Sequence, residues 1–279
     1  MLRSQPRRAL RFAFAFVIIL AAAPAAASAA TTTTQSASSG IVSATFSYQG
    51  SVGPGISNET LTIDRSGTAV YSAPVTSSLC TISIPCDPES SHSVHVLDLE
   101  GTAEPDVVLD LFSGGANCCS IEQVFSYDPT TMTYVKTERN FSMSGARLED
   151  LSHNGRYEFL SSDPAFECYF TDCADSGAPI QILAFSDRTF TNVTTRYPKL
   201  IRKDAAMWLK LFKHHLSNGL GLIAPWAADE ELLGHNPLVQ SYLEQQLKQD
   251  HLTSGGFTPG GQKFIKALNR LLRHDGYLH

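Results

Sequence analysis

Up to Pro198 the apolar residues mostly fall on alternate positions; after it they recur at helical spacing. Val42, Ala44, Phe46 and Tyr48 share one face of an extended run, with smaller or polar residues between them. Leu61 and Ile63 alternate before Arg65-Ser66-Gly67, and Ala69, Tyr71 and Ala73 alternate after it, which predicts a hairpin. A loop-like stretch over 77–92 follows. The strands continue with Val107, Val108, Leu109 and Leu111, a turn at Gly114-Gly115, and Val124, Phe125 and Tyr127. After Pro198, Asp204 is positioned to cap a helix with Trp208, Leu211, Phe212 and, at its end, His215 on one face. Pro225 opens a short helix through Leu233, closed by Gly234; Asn236-Pro237 opens another carrying Leu238, Tyr242 and Leu247. Thr258-Pro259 opens the last, with Phe264, Leu268, Leu271 and Leu272 facing inward and Gly276 past its end.

One unit occurs twice. Asp98, Glu100, Thr102 and Asp106 occupy positions 1, 3, 5 and 9 of an acidic loop, and Asp150, Ser152, Asn154 and Glu158 occupy the same positions 52 residues later. Each loop leads into an apolar strand, then into cysteines, then into a similar strand end, VFSYD at Val124–Asp128 and AFSD at Ala184–Asp187. The two phenylalanines of those ends, Phe125 and Phe185, are 60 apart, so the second copy carries an insertion near Cys168 to Gly177. A period of about 50 residues suggests blade-like units.

The expected organisation is a signal segment at 1–30, a disordered polar linker at 31–40, and a β domain at 41–198. Its two repeats run over about 94–145 and 146–198, with a helical segment at 199–279 to follow. Arg3, Arg7, Arg8 and Arg11 precede an apolar run too short to span a membrane comfortably, and small residues follow, so cleavage is expected near Ala27–Ala30. The protein is therefore expected outside the cytoplasm, secreted or extracellular, with no membrane span after cleavage. Six cysteines then read as disulfides: Cys80 with Cys86, Cys168 with Cys173, and Cys118 with its neighbour Cys119 or with another partner. Residues 30–198 carry 7 basic and 20 acidic side chains, whereas 199–279 carry 10 and 7. The acidic half argues against nucleic acid as a partner and is compatible with divalent cations.

The loops DLEGTAEPD and DLSHNGRYE resemble degraded copies of the D-x-D-G-D-G-x-x-D loop of FG-GAP repeats, also called VCBS-type repeats; the second keeps the Asn and Gly. The resemblance covers about residues 94–190. It implies propeller blades with Ca²⁺ in the acidic loop, as in integrin-α propellers and many secreted bacterial proteins. Ca²⁺ takes six to eight oxygen ligands at about 2.3–2.6 Å. Alternate positions of a tight loop turn three side chains to one centre, position 9 arrives from the next strand, and a Gly at position 6 allows the loop to close. Asp150, Ser152, Asn154 and Glu158 suit that role better than Asp98, Glu100, Thr102 and Asp106, where Glu replaces Asp and Ala103 replaces the Gly.

Other chemistry is poorly supported. There is no G-x-S-x-G, no H-E-x-x-H and no phosphate loop. His214 and His215 point to different faces of a helix; His92 and His95, three apart in extended chain, face opposite ways. Asp106 and Asp110 resemble a glycosidase pair only in that both are acids. Asn58, Asn140 and Asn192 lie in N-x-S/T sequons. The expected fold is mainly β, blade-like repeats forming a partial propeller or a sandwich, with a helical C-terminal segment. Two or three blades cannot close a propeller, which takes at least four, so a sandwich covered by helices is favoured. The expected function is a non-enzymatic binding or structural protein with a protein or glycan partner. The alternatives are a cell-envelope hydrolase or accessory protein, and a surface adhesin or cell-wall-binding factor.

Overall fold

The computed structural model describes residues 31–51, 55–80, 86–115, 118–216, 219–254, 256 and 258–278. The expected signal segment therefore lies outside the described residues. The elements run β1 (Thr32–Ser39), β2 (Val42–Gln49), β3 (Ser57–Arg65), β4 (Thr68–Pro74), β5 (Asp87–Pro88), β6 (Val94–Leu97) and β7 (Asp106–Phe112). They continue with β8 (Ser120–Asp128), β9 (Thr133–Ser142), β10 (Arg147–Glu149), β11 (Glu158–Ser162), β12 (Ile180–Ser186) and β13 (Thr189–Asn192). Four helices follow: α1 (Pro198–His214), α2 (Leu220–Leu232), α3 (Asn236–Lys248) and α4 (Gln262–His274).

The strands form three antiparallel sheets, each following chain order: β1-β2-β3-β4, then β7-β8-β9 with β5 and β6 both on the outer side of β7, then β10-β11-β12-β13. The mainly-β class with helices at the C-terminal end is thus as expected. The alternation of apolar residues decides which faces meet. Val42, Ala44, Phe46, Leu61 and Ile63 of the first sheet pack with Val107, Leu109, Ile121 and Phe125 of the second. The opposite face of the second sheet presents Val108, Val124 and Phe141 to Phe159, Leu183 and Phe185 of the third. The helices build their own core around Phe212, Trp226, Leu243, Phe264 and Leu268, joined by Phe166 and Phe170 from the β11–β12 connection.

Three expectations are corrected. Residues 31–40 are not a disordered linker: β1 pairs with β2 over its whole length, from Thr32↔Gln49 to Ser39↔Val42. The Gln35 amide also holds the β5–β6 turn, donating to Ser90 O at 2.9 Å and accepting from Ser93 N at 2.7 Å. A Thr/Ser tract lacks apolar residues, but its β-branched and small side chains fit a half-exposed edge strand once a partner exists.

Asp204 does not cap α1, which starts at Pro198. It lies inside the helix, where its carboxylate accepts from Ile180 N at 3.0 Å and Trp208 Nε1 at 2.9 Å. β13 reaches back along β12 only as far as Leu183. The N–H groups of β12 beyond it are taken by Thr194 Oγ1 at Ile182 and by Asp204 at Ile180, so helical side chains close part of the sheet edge.

Pro225 does not open α2 but sits within it. A proline there cannot donate to the carbonyl of Gly221. That carbonyl accepts instead from Gly177 N at 3.0 Å, which docks the β11–β12 connection onto the helix. The approach needs glycine on both sides: a Cβ on Gly177 would meet the Trp208 ring at 2.5 Å, and one on Gly221 would meet Asp175 O at 2.7 Å. Gly234 and Gly276 do end α2 and α4, at φ +79° and +78°.

Candidate functional sites

Both acidic loops connect neighbouring antiparallel strands at the same register. The first closes on the pair Leu97↔Asp106 and the second on Glu149↔Glu158. Position 1 is a carboxylate that clamps the loop's own N–H groups. Asp98 accepts from Gly101 N (2.6 Å), Thr102 N (3.1 Å) and Ala103 N (2.8 Å); Asp150 accepts from Asn154 N (3.0 Å) and Gly155 N (2.9 Å). Left-handed residues fall at positions 4 and 6 in both loops, Gly101 and Ala103 at +72° and +64°, His153 and Gly155 at +52° and +84°. Position 9 is a buried carboxylate that accepts the N–H of position 2 and a distant hydroxyl. Asp106 takes Leu99 N and Ser126 Oγ; Glu158 takes Leu151 N and the Tyr197 hydroxyl.

The calcium ligand sets can be tested against these bonds. In the second loop Ser152 Oγ pairs with Tyr197 OH at 3.1 Å and Asn154 Oδ1 accepts from Arg156 N at 3.0 Å. Together with the clamps on Asp150 and Glu158, every expected ligand there already has a protein partner. In the first loop Thr102 Oγ1 accepts from Glu104 N at 3.3 Å, and Glu104 pairs with Arg65 at 2.7 Å. These oxygens are thus engaged by donors of the protein itself. Among the described residues no group of three or more His, Cys, Asp or Glu is arranged to hold a metal. Burial, followed by the negative charges of Glu100 and Asp98, pushes the Asp106 carboxyl up to about 7 against the bonds from Ser126 and Leu99. The N–H bonds of the loop hold Asp150 below its ordinary value.

The sequence reading missed a second site. On the face of the middle sheet turned toward the third, His95 of β6, Asp110 of β7 and Glu122 of β8 lie side by side. Asp110 pairs with Glu122 across the strands, and His95 pairs with Val108, the nearest residue to Asp110 on that face. His95 Nε2 meets Asp110 Oδ2 at 2.7 Å, and Glu122 stands directly across the strands from Asp110. The strand beside β7 is broken at this point. β5 and β6 leave a gap opposite Asp110, whose main chain is caught instead by Glu89 N (3.2 Å) and Ser93 O (2.8 Å). Burial, then the neighbouring carboxyl of Asp110 and the charge of Glu89, raise Glu122 well above its ordinary value. The bond to Asp110 raises His95 despite its burial.

The three open onto a cleft of about 570 Å³ where the first strands of the three sheets converge, with Ala37 of β1, Val96 of β6 and Leu148 of β10 in its walls. His92 also lines it. His92 and His95 do not diverge as extended chain would place them, because His92 lies in the turn before β6 starts at Val94. The register of β7 against β8 sets Asp110 opposite Glu122, and the turn residues Gly114-Gly115 do not give that register by themselves. Asp106 and Asp110 are not a couple: four residues apart on one strand, they are separated by about 13 Å, and their carboxylates have different partners.

The cysteines pair as Cys80–Cys86, Cys118–Cys119 and Cys168–Cys173. The bond between Cys118 and Cys119 is a cis peptide. The last pair lies in the β11–β12 connection. There the matched strand ends are offset: Val107 pairs with Phe125, whereas its counterpart Phe159 pairs with Leu183, not Phe185. An even offset keeps each phenylalanine on its expected face. No helix among the described residues is long and apolar enough to cross a membrane.

No family model and no solved structure matches the chain. A protein of Synechocystis sp. described as a probable thylakoid lumen protein is 26% identical over 136 residues, 47% of this chain and 40% of that protein. The chain thus covers well under half of that relative's length.

Proposed function

We propose that this chain is a non-enzymatic binding module of a lumenal or extracellular compartment, built from FG-GAP- or VCBS-like blades whose acidic loops are carboxylate-clamped corners. One observation carries the reading: the two loops agree position by position in strand register, clamping carboxylate, left-handed residues and buried position-9 acid. Two four-stranded meanders in chain order and a five-stranded sheet whose outer side is divided between β5 and β6 suit blades. The paired cysteines suit an oxidising compartment, and so does the relative's description as a lumen protein.

The hydrolase alternative needs two acids about 5–9.5 Å apart across a substrate. Asp110 and Glu122 are direct cross-strand neighbours on one sheet face, and Asp110 is bonded to His95. A protein or glycan is the expected partner class.

The test is thermal melting of the protein and of its Asp98→Ala and Asp150→Ala variants, with millimolar calcium and with chelator. Both variants melt below the parent, and calcium leaves the parent unmoved. A calcium-dependent rise that Asp150→Ala abolishes replaces the clamp with the calcium-stabilised loop. Variants that melt with the parent remove the reading altogether.

A further inference from the structure

We infer that the cleft at His95, Asp110 and Glu122 binds an organic cation, a guanidinium or primary ammonium group on a short apolar stem, whose N–H groups satisfy the two unpartnered carboxyl oxygens of Asp110 and Glu122. The inference rests on the binding-module reading and gives that module a ligand class. Its central observation is a pair of buried oxygens, Asp110 Oδ1 and Glu122 Oε2, neither of which receives a hydrogen bond from a donor among the described residues. Glu122 is 2% exposed and lines the cleft, so its free oxygen belongs to the site. A group with two N–H donors satisfies both oxygens at once.

The surrounding charges leave that place to a ligand. Arg139 of β9 is the cross-strand neighbour of Glu122, yet its guanidinium lies over the rings of Phe141 and Phe190 at 5.5 and 5.6 Å and reaches Gln181. Arg147 on the facing wall is bound to Glu149 at 3.0 Å. His95 is committed to the other oxygen of Asp110. Glu89, below the pair, accepts from Ser120 Oγ at 2.7 Å and adds its negative charge to the site. A divalent metal is a poorer occupant, since no metal-holding group of side chains is gathered among the described residues. The cleft is of small-molecule size. Val96, Leu97 and Leu148 offer an apolar wall to a stem, and Tyr157 a ring to a cation.

Burial raises Glu122 well above its ordinary value, and a bound cation favours its charged form. Binding therefore tightens as pH rises, by up to about tenfold per pH unit.

The experiment is calorimetric titration of the full mature chain with n-butylguanidinium chloride, with 1-butanol as the neutral homologue and with CaCl₂ and ZnCl₂ alone. The expected result is binding of the guanidinium, not of the alcohol, tightening as pH rises. Glu122→Gln holds no charge at this position. It lowers affinity about tenfold or more, the loss of one charge-assisted hydrogen bond, and weakens the pH dependence. Acetyl-Gly-Arg-Gly-amide distinguishes a protein side chain from a free amine as the source: tighter binding of the peptide identifies the former, and binding of the small cation alone the latter. No binding of either cation, equal binding of the alcohol, binding that weakens as pH rises, or a metal bound while the organic cations are not, each overturns the assignment. The comparison of guanidinium with alcohol on the unaltered protein decides the matter even if the variant does not fold. Failure here leaves the loop-melting test untouched.

Discussion

Asp106 and Glu158 occupy the same place in two hairpins, β6–β7 and β10–β11, each accepting the N–H of a leucine seven positions back, Leu99 and Leu151, at 3.3 Å in both. A carboxylate of either length can fill the position because the bond is made to the main chain. The side chain's remaining oxygen then reaches whichever hydroxyl the neighbouring element supplies, Ser126 from β8 or Tyr197 from the start of α1.

The clamp at position 1 predicts a stability loss. Asp98→Ala frees three N–H groups and lowers unfolding free energy by about 1–2 kcal/mol, read from urea midpoints, while Asp98→Asn loses less. Asp150 follows the same direction. Its carboxyl is held low in the folded state, so its contribution is present above the unfolded value near 3.8 and fades as pH falls through the lower folded value.

Asp106 has the opposite sign. Its folded-state value is raised from 3.8 to about 7, so the folded protein holds this proton more tightly than the unfolded chain. Stability from this group is full below the unfolded value and declines as pH rises from about 4 to 7. Asp106→Asn flattens that slope. Urea midpoints at pH 5 and pH 7 measure it, and an unchanged slope in the variant contradicts the assignment.

The chain after α4 is tied to the β11–β12 connection. The buried Tyr277 hydroxyl donates to Asp163 Oδ2 at 2.8 Å, and its ring packs edge-on to Phe166. Tyr277→Phe costs about 1–3 kcal/mol by leaving a buried carboxylate oxygen short of a donor. Amide exchange in α4 and in the 3-10 turn at Pro164–Phe166 rises together in that variant.

The second acid pair joins α1 to α2. Burial, then the neighbouring carboxyl of Asp204, push the Asp229 carboxyl up to about 10, so it is neutral at pH 7. Asp229→Asn keeps a neutral polar group in place and leaves the melting temperature near that of the parent. Asp229→Ala lowers stability by about 1–3 kcal/mol. Equal loss in both variants contradicts a neutral Asp229.

How much was legible follows from the range of each interaction. The alternation of Val42, Ala44, Phe46 and Tyr48 is a local signal, and all four are buried. The loops at Asp98 and Asp150 are local too, since each clamp acts within five residues. The 31–40 stretch was misjudged because a Thr/Ser tract becomes a strand only when β2 lies beside it. Asp204 resembles a cap by composition, but its partner Ile180 is 24 residues away in sequence.

Hydrophobic period, turn chemistry and loop composition, all carried within a few residues, determined by themselves the strand-rich body, the helical end, the repeated acidic corner and the short-range cysteine pairs. Only the tertiary structure decided that His95, Asp110 and Glu122 share one cleft, that the corners close on protein donors, and that Pro225 lies inside a helix whose freed carbonyl is taken by Gly177. The reason is physical. Burial and unsatisfied hydrogen-bonding groups belong to the packed arrangement of distant segments, and one carboxylate can be a solvated turn residue or a proton-holding site according to what folds against it.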